Sequence, residues 1–316
     1  MLDHLSTRVV QSLASKIKAL SGSEHNTTET VLPKNSRVVF TSSSDCGVVR
    51  NGGRKGSRFA PQAIINSLGK MVDHFDHPIF THELAQCFDF YSDQKFNEAQ
   101  NISAGKCLET LKRGPHTSVH LGGGQDHILP FLMALEASGH DQIIVLNIDP
   151  HLDTRLDPIR HSGTPFRDFA ELTKSEFSIL QLGTCEHSNS PESYQALKNG
   201  RMKIISFNDI LREGQYFRKS IIPLIQSQLE KVLFTENCAF MLSIDCDAID
   251  HGTMSAVSAV SQHGFPISCI VELLSWYKAF SHKNKYLGIY EYNPLFEDLS
   301  NKGARAISSL LYQYLK

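Results

Sequence analysis

The chain has no surplus of charge of either sign. Its 31 lysines and arginines stand against 33 aspartates and glutamates, a formal net charge of -2. That balance gives no electrostatic reason to expect a nucleic acid or a membrane surface as partner. Long apolar runs are also missing: none approaches the roughly twenty residues that a membrane-crossing helix needs. The first segment, Met1 to Lys18, lacks a signal-peptide core, which argues against export. The seven cysteines are odd in number, scattered and without CxxC spacing, the pattern of reduced cytosolic thiols, several of them core residues. There is no internal repeat, low-complexity tract or linker. One domain over residues 1–316 is therefore expected, with an N-terminal helix and loop through residue 35 and a core over residues 37–315. The rest is ordinary soluble composition, 41% hydrophobic and 20% charged, enough for a large core in a cytoplasmic protein.

Short β-branched runs alternate with helical patterns along most of the chain. Strands are predicted at 37–41, 118–121, 143–148, 177–182, 203–206, 239–244 and 286–290. Helices are predicted at 61–68, opened by Pro61 in its first turn, from about 128 through 135, and at 221–229, 269–276 and 304–314. Ser268 is a candidate N-cap for the fourth of these. Leu5, Val9, Val10, Leu13, Ile17 and Leu20 have helical spacing, and Ser21 to Thr30 reads as a polar surface loop. Ser42 to Gly56 reads as a glycine-rich loop. Strand and helix in alternation predict a parallel sheet covered by helices on both faces.

The chemistry is concentrated after the run Ile143-Ile144-Val145-Leu146, where Asp149, His151 and Asp153 follow at alternate positions. If the backbone stays extended there, the three project to one side, at the strand end where open α/β sheets bind ligands. Oxygen and imidazole donors without thiolate suit a hard or borderline divalent cation, manganese among them. A plainer reading makes Asp149 a helix cap and His151 a loop residue. A second strand sharpens the choice, because Asp245, Asp247 and Asp250 follow the apolar stretch Phe240-Met241-Leu242. Two strands ending in carboxylates supply five donors for a pair of cations, with Asp149 and Asp245 suited to bridge. Carboxylates buried together repel unless a cation or a proton neutralises them.

Four motifs in order, Gly122-Gly-Gly-Gln-Asp-His127, Asp149-x-His-x-Asp153, Ser243-x-Asp-x-Asp247 and Glu291-x-Asn-Pro294, resemble those of the arginase (ureohydrolase) family over residues 37–315. The loop Gly47 to Gly56 and the segment His161-Ser-Gly-Thr-Pro-Phe166 are most similar to the formimidoylglutamase branch. The resemblance implies a three-layer α/β/α domain with a mostly parallel, doubly wound sheet and a binuclear Mn2+ site that hydrolyses an amidine C–N bond. On that pattern Asp149 and Asp245 bridge the ions, Asp153 holds the first, and His151 and Asp247 hold the second. Asp153 would also carry a proton to the leaving nitrogen. Glu291 would pair with cationic substrate nitrogens, and Arg155, with Asn51 and Arg54, would take a substrate carboxylate. The substrate implied is N-formimidoyl-L-glutamate, converted with water to L-glutamate and formamide. A guanidino substrate and a non-catalytic binding protein are the two alternatives. The family pattern also allows a homo-oligomer.

The chain departs from the family pattern in three places. Gln125 stands where the family has a metal-binding histidine, and a glutamine carbonyl is a harder, weaker donor. The first ion would then be held by carboxylates and water, unless a shift of the loop brought His127 into its place. After Asp247 the stiffening prolines of the family turn are replaced by Ser255-Ala-Val-Ser-Ala-Val-Ser-Gln262, which puts the path of that loop in doubt. Pro150 stands in place of the small residue usual between Asp149 and His151.

Overall fold

A computed structural model describes residues 12–20, 32–85, 92–197, 201–212 and 220–316. Among them are nine strands: β1 (Ile17–Ala19), β2 (Arg37–Ser42), β3 (Ile79–Ala85), β4 (Thr117–Gly122), β5 (Gln142–Ile148), β6 (Glu176–Thr184), β7 (Met202–Ser206), β8 (Cys238–Asp245) and β9 (Lys285–Tyr290). They form one sheet in the order β1-β3-β2-β4-β9-β8-β5-β6-β7, and every pair is parallel. The carboxyl ends of all strands therefore lie along one edge. From β5 the chain winds outward through β6 and β7, then returns to lay β8 against the other flank of β5. A change of direction of this kind opens a crevice at the strand ends.

The strands are central because their side chains leave them nowhere else to go. All seven residues of β5 and all eight of β8 are buried. Along β5, Ile144, Leu146 and Ile148 join the core on one face of the sheet, while Ile143 and Val145 join the core on the other. That is the alternation a pleated strand imposes. On the first face pack α2 (Ala60–Gly69), α6 (Phe207–Arg212), α7 (Ile222–Leu229), α8 (Ile267–Ala279) and α9 (Lys302–Leu315). The second face is covered by α3 (Asp93–Leu111), α4 (Ile128–Ala137) and α5 (Pro165–Leu172). The layers are thus α/β/α, as the alternating pattern predicts. No helix among the described residues is long and apolar enough to cross a membrane.

Three local expectations fail. Residues 13–16 form a 3-10 turn and Ile17–Ala19 the edge strand β1, where a helix was expected. Pairing with β3 supplies β1 with backbone partners, and the chain continues it with Leu20 N–H donating to the Thr81 carbonyl at 2.8 Å. Leu5, Val9 and Val10, and the loop from Ser21 to Thr30, lie outside the described residues. The glycine-rich loop contains a short helix, α1 (Cys46–Arg50). Ser268 does not cap α8, because the helix starts at Ile267, two residues earlier than expected, and Pro266 occupies the cap position.

Candidate metal centre

Register places the functional side chains. Asn147 on β5 pairs with Ser243 on β8, and Ile148 with Ile244, so Asp149 and Asp245 leave the sheet side by side. Asp245 also pairs with Tyr290 on β9, which brings Glu291 to the same level. Oxygens of Asp149, Asp153 and Asp245 lie within 4.8 Å of one another. His151 Nδ1 stands 3.4 Å from Asp149 Oδ1 and 3.8 Å from Asp247 Oδ2. The five donors expected from the sequence are therefore brought together, although the chain does not stay extended. Asp149 Oδ1 accepts the His151 N–H at 2.7 Å, and Asp245 Oδ1 accepts the Asp247 N–H at 2.7 Å. The same Asp-x-(His/Asp) turn is used twice, and in the first it brings the His151 ring back to Asp149.

Two site residues adopt left-handed backbone: Asp153 at φ 51° and Glu291 at φ 64°. L-residues other than asparagine, aspartate and histidine seldom occupy that region, and such positions concentrate at functional sites. Surrounding hydrogen bonds hold them. Phe166 N–H donates to the Asp153 carbonyl at 3.2 Å, and Glu291 N–H donates to the Gly123 carbonyl at 2.9 Å. Glu291 Oε1 in turn accepts the Gln125 N–H at 2.8 Å. Gly123 is required there, because a Cβ would come within 1.9 Å of the Ser44 carbonyl oxygen.

The electrostatics are those of crowded acids. Burial pushes Asp153 well above the usual carboxylate range, and the charges of Asp149 and Asp247 push it further. Burial likewise lifts Asp245, reinforced by Asp149, Asp247 and Glu291. Burial and Asp247 raise Glu291 well above its ordinary value. Asp247 rises to about 7, driven up by burial and held back by His151. Burial works against the His151 imidazolium, but the hydrogen bond and charge of Asp149, with Asp247 and Glu291, outweigh it and lift the group to about 9. Such a cluster holds extra protons or takes up cations. Clustered carboxylate oxygens, one imidazole and the buried Gln125 Oε1, which has no hydrogen-bond partner, form a donor set that fits hard or borderline divalent cations.

Above these donors lies a cleft of about 350 Å3, lined among others by Asn51, Arg155, Asp153, Asp247 and Glu291. Arg155 donates to Asn51 Oδ1 at 2.6 Å and pairs through Nε with Asp157 at 2.9 Å. Its side chain is 52% exposed, a cation at the mouth of the cleft. Asn51 donates to Ser162 Oγ at 3.1 Å, which ties the two branch-like segments together. Arg54 lies beside the cleft: its guanidinium bonds the Val257 carbonyl and lies 3.9 Å from the centre of the Phe296 ring, and its charge reaches Asp247. His127 turns away, with Nε2 3.1 Å from the Ser44 carbonyl oxygen, and Gln125 lines the cleft instead. The proline-free loop after Asp247 is held by Ala259 N–H donating to Asp247 Oδ1 at 3.4 Å and Asn293 N–H donating to the Ala256 carbonyl at 2.7 Å.

Polar side chains around the acids, not evident from the sequence, hold the site in place. Asn189 accepts the Leu152 N–H at 2.8 Å and donates to the Pro150 carbonyl at 2.9 Å, fixing the loop that carries His151 and Asp153. Asn147 and Gln181 are bonded to each other inside the sheet at 2.9 Å. For Asn147 and Gln181 the available signal is a polar residue in a strand buried on both faces; Asn189, in a loop, has none.

A family model described as the arginase family matches residues 38–316. The formimidoylglutamase of Enterobacter sp. (strain 638) is 28% identical over 300 residues, covering 94% of this chain and 89% of that protein. The formimidoylglutamase of Aeromonas hydrophila subsp. hydrophila is 29% identical over 279 residues, with 86% and 84% covered. In structure, the formimidoylglutamase from Bacillus subtilis subsp. subtilis str. 168 is similar with a TM-score of 0.77 at 18% identity, covering 99% of this chain and 93% of that one. Trypanosoma cruzi formiminoglutamase, solved with Mn2+2, gives a TM-score of 0.73 at 20% identity, covering 90% and 95%. With its motifs at the carboxyl edge of an all-parallel sheet and a family match over nearly its whole length, the chain belongs to the arginase family.

Proposed function

We propose that the chain is a metal-dependent amidine hydrolase that converts N-formimidoyl-L-glutamate and water to L-glutamate and formamide. The observation that carries this reading is the meeting of three buried carboxylates, Asp149, Asp153 and Asp245, under a cleft with an arginine at its mouth. The formimidoylglutamase relatives cover most of the chain and supply the substrate. Asp149, His151, Asp153, Asp245 and Asp247 would hold the Mn2+ ions. When bound, the ions neutralise the carboxylates and bring the pKa of water in the site toward neutrality. The cytoplasmic setting belongs to the same proposal; Cys107, Cys238 and Cys246 are buried free thiols.

The chain's own residues divide the remaining work. Arg155, positioned by Asn51, presents donors to a substrate carboxylate, a charge-assisted contact with the geometry of a fork. The formimidoyl carbon would then lie deeper in the cleft, where the Glu291 carboxylate would meet the amidinium nitrogens. A C–O bond forms at that carbon as water loses a proton to Asp153. The C–N bond to the glutamate nitrogen then breaks as Asp153 returns the proton to that nitrogen, leaving formamide and the free amine. The cation at position 155 disfavours a substrate with a cationic far end, such as agmatine.

The test is turnover by the Mn2+-loaded chain of N-formimidoyl-L-glutamate, a guanidino acid and agmatine. Formamide release from the first, well above the other two, supports the proposal. Preference for a guanidino acid moves the substrate assignment elsewhere in the family. Metal binding without turnover of any of the three makes the chain a binding protein.

A further inference from the structure

The Gln125 side chain is 1% exposed, and its Nε2 donates to Ser243 Oγ at 3.2 Å and Asn147 Oδ1 at 3.4 Å. Those two residues are register partners, each two positions before an aspartate of the cluster. The amide is therefore anchored one layer below Asp149 and Asp245, while Oε1 is buried without a partner. Unpartnered buried acceptors are uncommon and call for an explanation.

The direction of the amide is determined from a distance. The Leu152 carbonyl can only accept, and it receives Gln181 Nε2 at 2.7 Å. Gln181 Oε1 must then accept, and it receives Asn147 Nδ2 at 2.9 Å. The same Nδ2 donates to Asp149 Oδ2 at 3.3 Å, which leaves Asn147 Oδ1 to face Gln125 Nε2. Reversing Gln125 would set oxygen against oxygen, so three amides in series hold its carbonyl away from the relay. Gln125 lines the same cleft as Asp153 and Asp245.

We propose that Gln125 Oε1 is a neutral oxygen ligand of the first cation, aimed by the relay Gln125–Asn147–Gln181–Leu152. This rests on the metal reading of the site given above. Gln181 is a positioning residue, since it touches neither the acids nor the cleft. An amide oxygen in place of imidazole makes the first position harder, favouring Mn2+ over Zn2+ relative to a histidine site.

The experiment is Mn2+ binding by calorimetry on the chelator-stripped full chain. Wild type is expected to take two ions. Gln125→Met should weaken one of them at least about tenfold and leave the other in place, and Gln181→Met should weaken the same ion about tenfold. The double variant should be no weaker than Gln125→Met alone, because both changes act on one contact. Pulsed electron paramagnetic resonance of bound Mn2+ adds a check independent of these variants. Gln125→His should add nitrogen hyperfine coupling beyond that of wild type, together with a shift of preference toward Zn2+. Two ions held by Gln125→Met with unchanged affinity, additive losses in the double variant, or no new nitrogen coupling in Gln125→His would each overturn the proposal. Wild type that takes up no Mn2+ overturns the metal reading itself, an outcome distinct from those three.

Discussion

Asp45 and Asp245 are both buried aspartates, one near the end of β2 and the other at the end of β8, and they are treated in opposite ways. Asp45 Oδ2 accepts the Gly56 N–H at 2.7 Å, and its Oδ1 accepts Arg58 Nε at 2.8 Å and a second guanidinium nitrogen at 2.6 Å. Burial would raise its pKa, but these bonds outweigh burial and hold it below the usual carboxylate value. Asp245 spends one oxygen on the Asp247 N–H and otherwise faces acids, so burial and its neighbours drive its pKa up. The first is an ion whose partners the chain supplies, and it serves to clamp the loop around Gly56, where φ is 129° and a Cβ would lie 2.2 Å from Asn293 Oδ1. The second has no cationic partner from the chain beside it, so it holds a proton or takes a cation from outside. Burial alone does not distinguish structure from function; the supply of partners does.

The largest effect expected is on turnover. Asp245→Asn should lower turnover by about a thousandfold or more, equivalent to about 4 kcal/mol of transition-state stabilisation. The metal-stripped variant should melt no lower than wild type, since a crowding charge is gone. Asp45→Asn should do the reverse, leaving metal content intact while costing about 2 kcal/mol in denaturant unfolding. That figure is below the range for a fully buried pair, because Arg58 is 20% exposed. If both variants behaved alike, the distinction would fail.

Second in size is a pH effect on the stripped protein. Asp247 rises from 3.8 to about 7 and His151 from 6.5 to about 9. A group whose folded pKa is raised contributes stability that is complete below its unfolded pKa and is lost as pH rises through the folded one. Asp247 therefore removes stability as pH climbs from 3.8 to about 7, and His151 as it climbs from 6.5 to about 9. The melting temperature of stripped protein should fall over that range, and Mn2+ should restore more stability at the alkaline end. Asp45 has the opposite sign, losing its contribution only as pH falls below its ordinary range. A melting temperature that rises from neutral to alkaline pH without metal would show that the acids are already compensated.

Much of this contrast is legible in the sequence because it is local. Asp149, His151 and Asp153 follow a strand buried on both faces, so the end of the apolar run marks the sheet edge. The same logic exposes Asp245 and Asp247. Contacts between distant segments are not legible in that way. Gln181 reads as one polar residue in Ile179-Leu180-Gln181-Leu182, and only its bonds to Asn147 and Leu152 give it a role. Arg54 reads as a carboxylate binder, and only the fold shows its guanidinium bonded to the Val257 carbonyl and set against Phe296. The helix α3 escapes notice because its apolar stripe is sparse, although Ser92 caps it by accepting the Lys95 N–H at 3.3 Å. In β3, Thr81, His82 and Glu83 interrupt the apolar pattern of a strand near the sheet edge.

The smaller predictions concern the mouth and the floor of the cleft. Arg155→Met should raise KM for N-formimidoyl-L-glutamate about tenfold with a lesser change in kcat, the expectation for a half-exposed charged contact. Arg155→Lys should recover little of it, since an ammonium cannot make the same fork. A loss confined to kcat would place the residue in the chemistry instead. The smallest effect belongs to His127→Gln, which should leave Mn2+ affinity unchanged and cost about 1 kcal/mol through the lost Ser44 contact. Weakened metal binding there would revive the histidine as a ligand.

The most direct test of the central claim, that these acids are buried to share two cations, is Mn2+ retained per chain after loading and desalting, measured on wild type, Asp245→Asn and Asp45→Asn. The account predicts two ions in wild type, two in Asp45→Asn, and loss of at least one in Asp245→Asn. Wild type that retains none, or Asp245→Asn that retains as many as wild type, would contradict it.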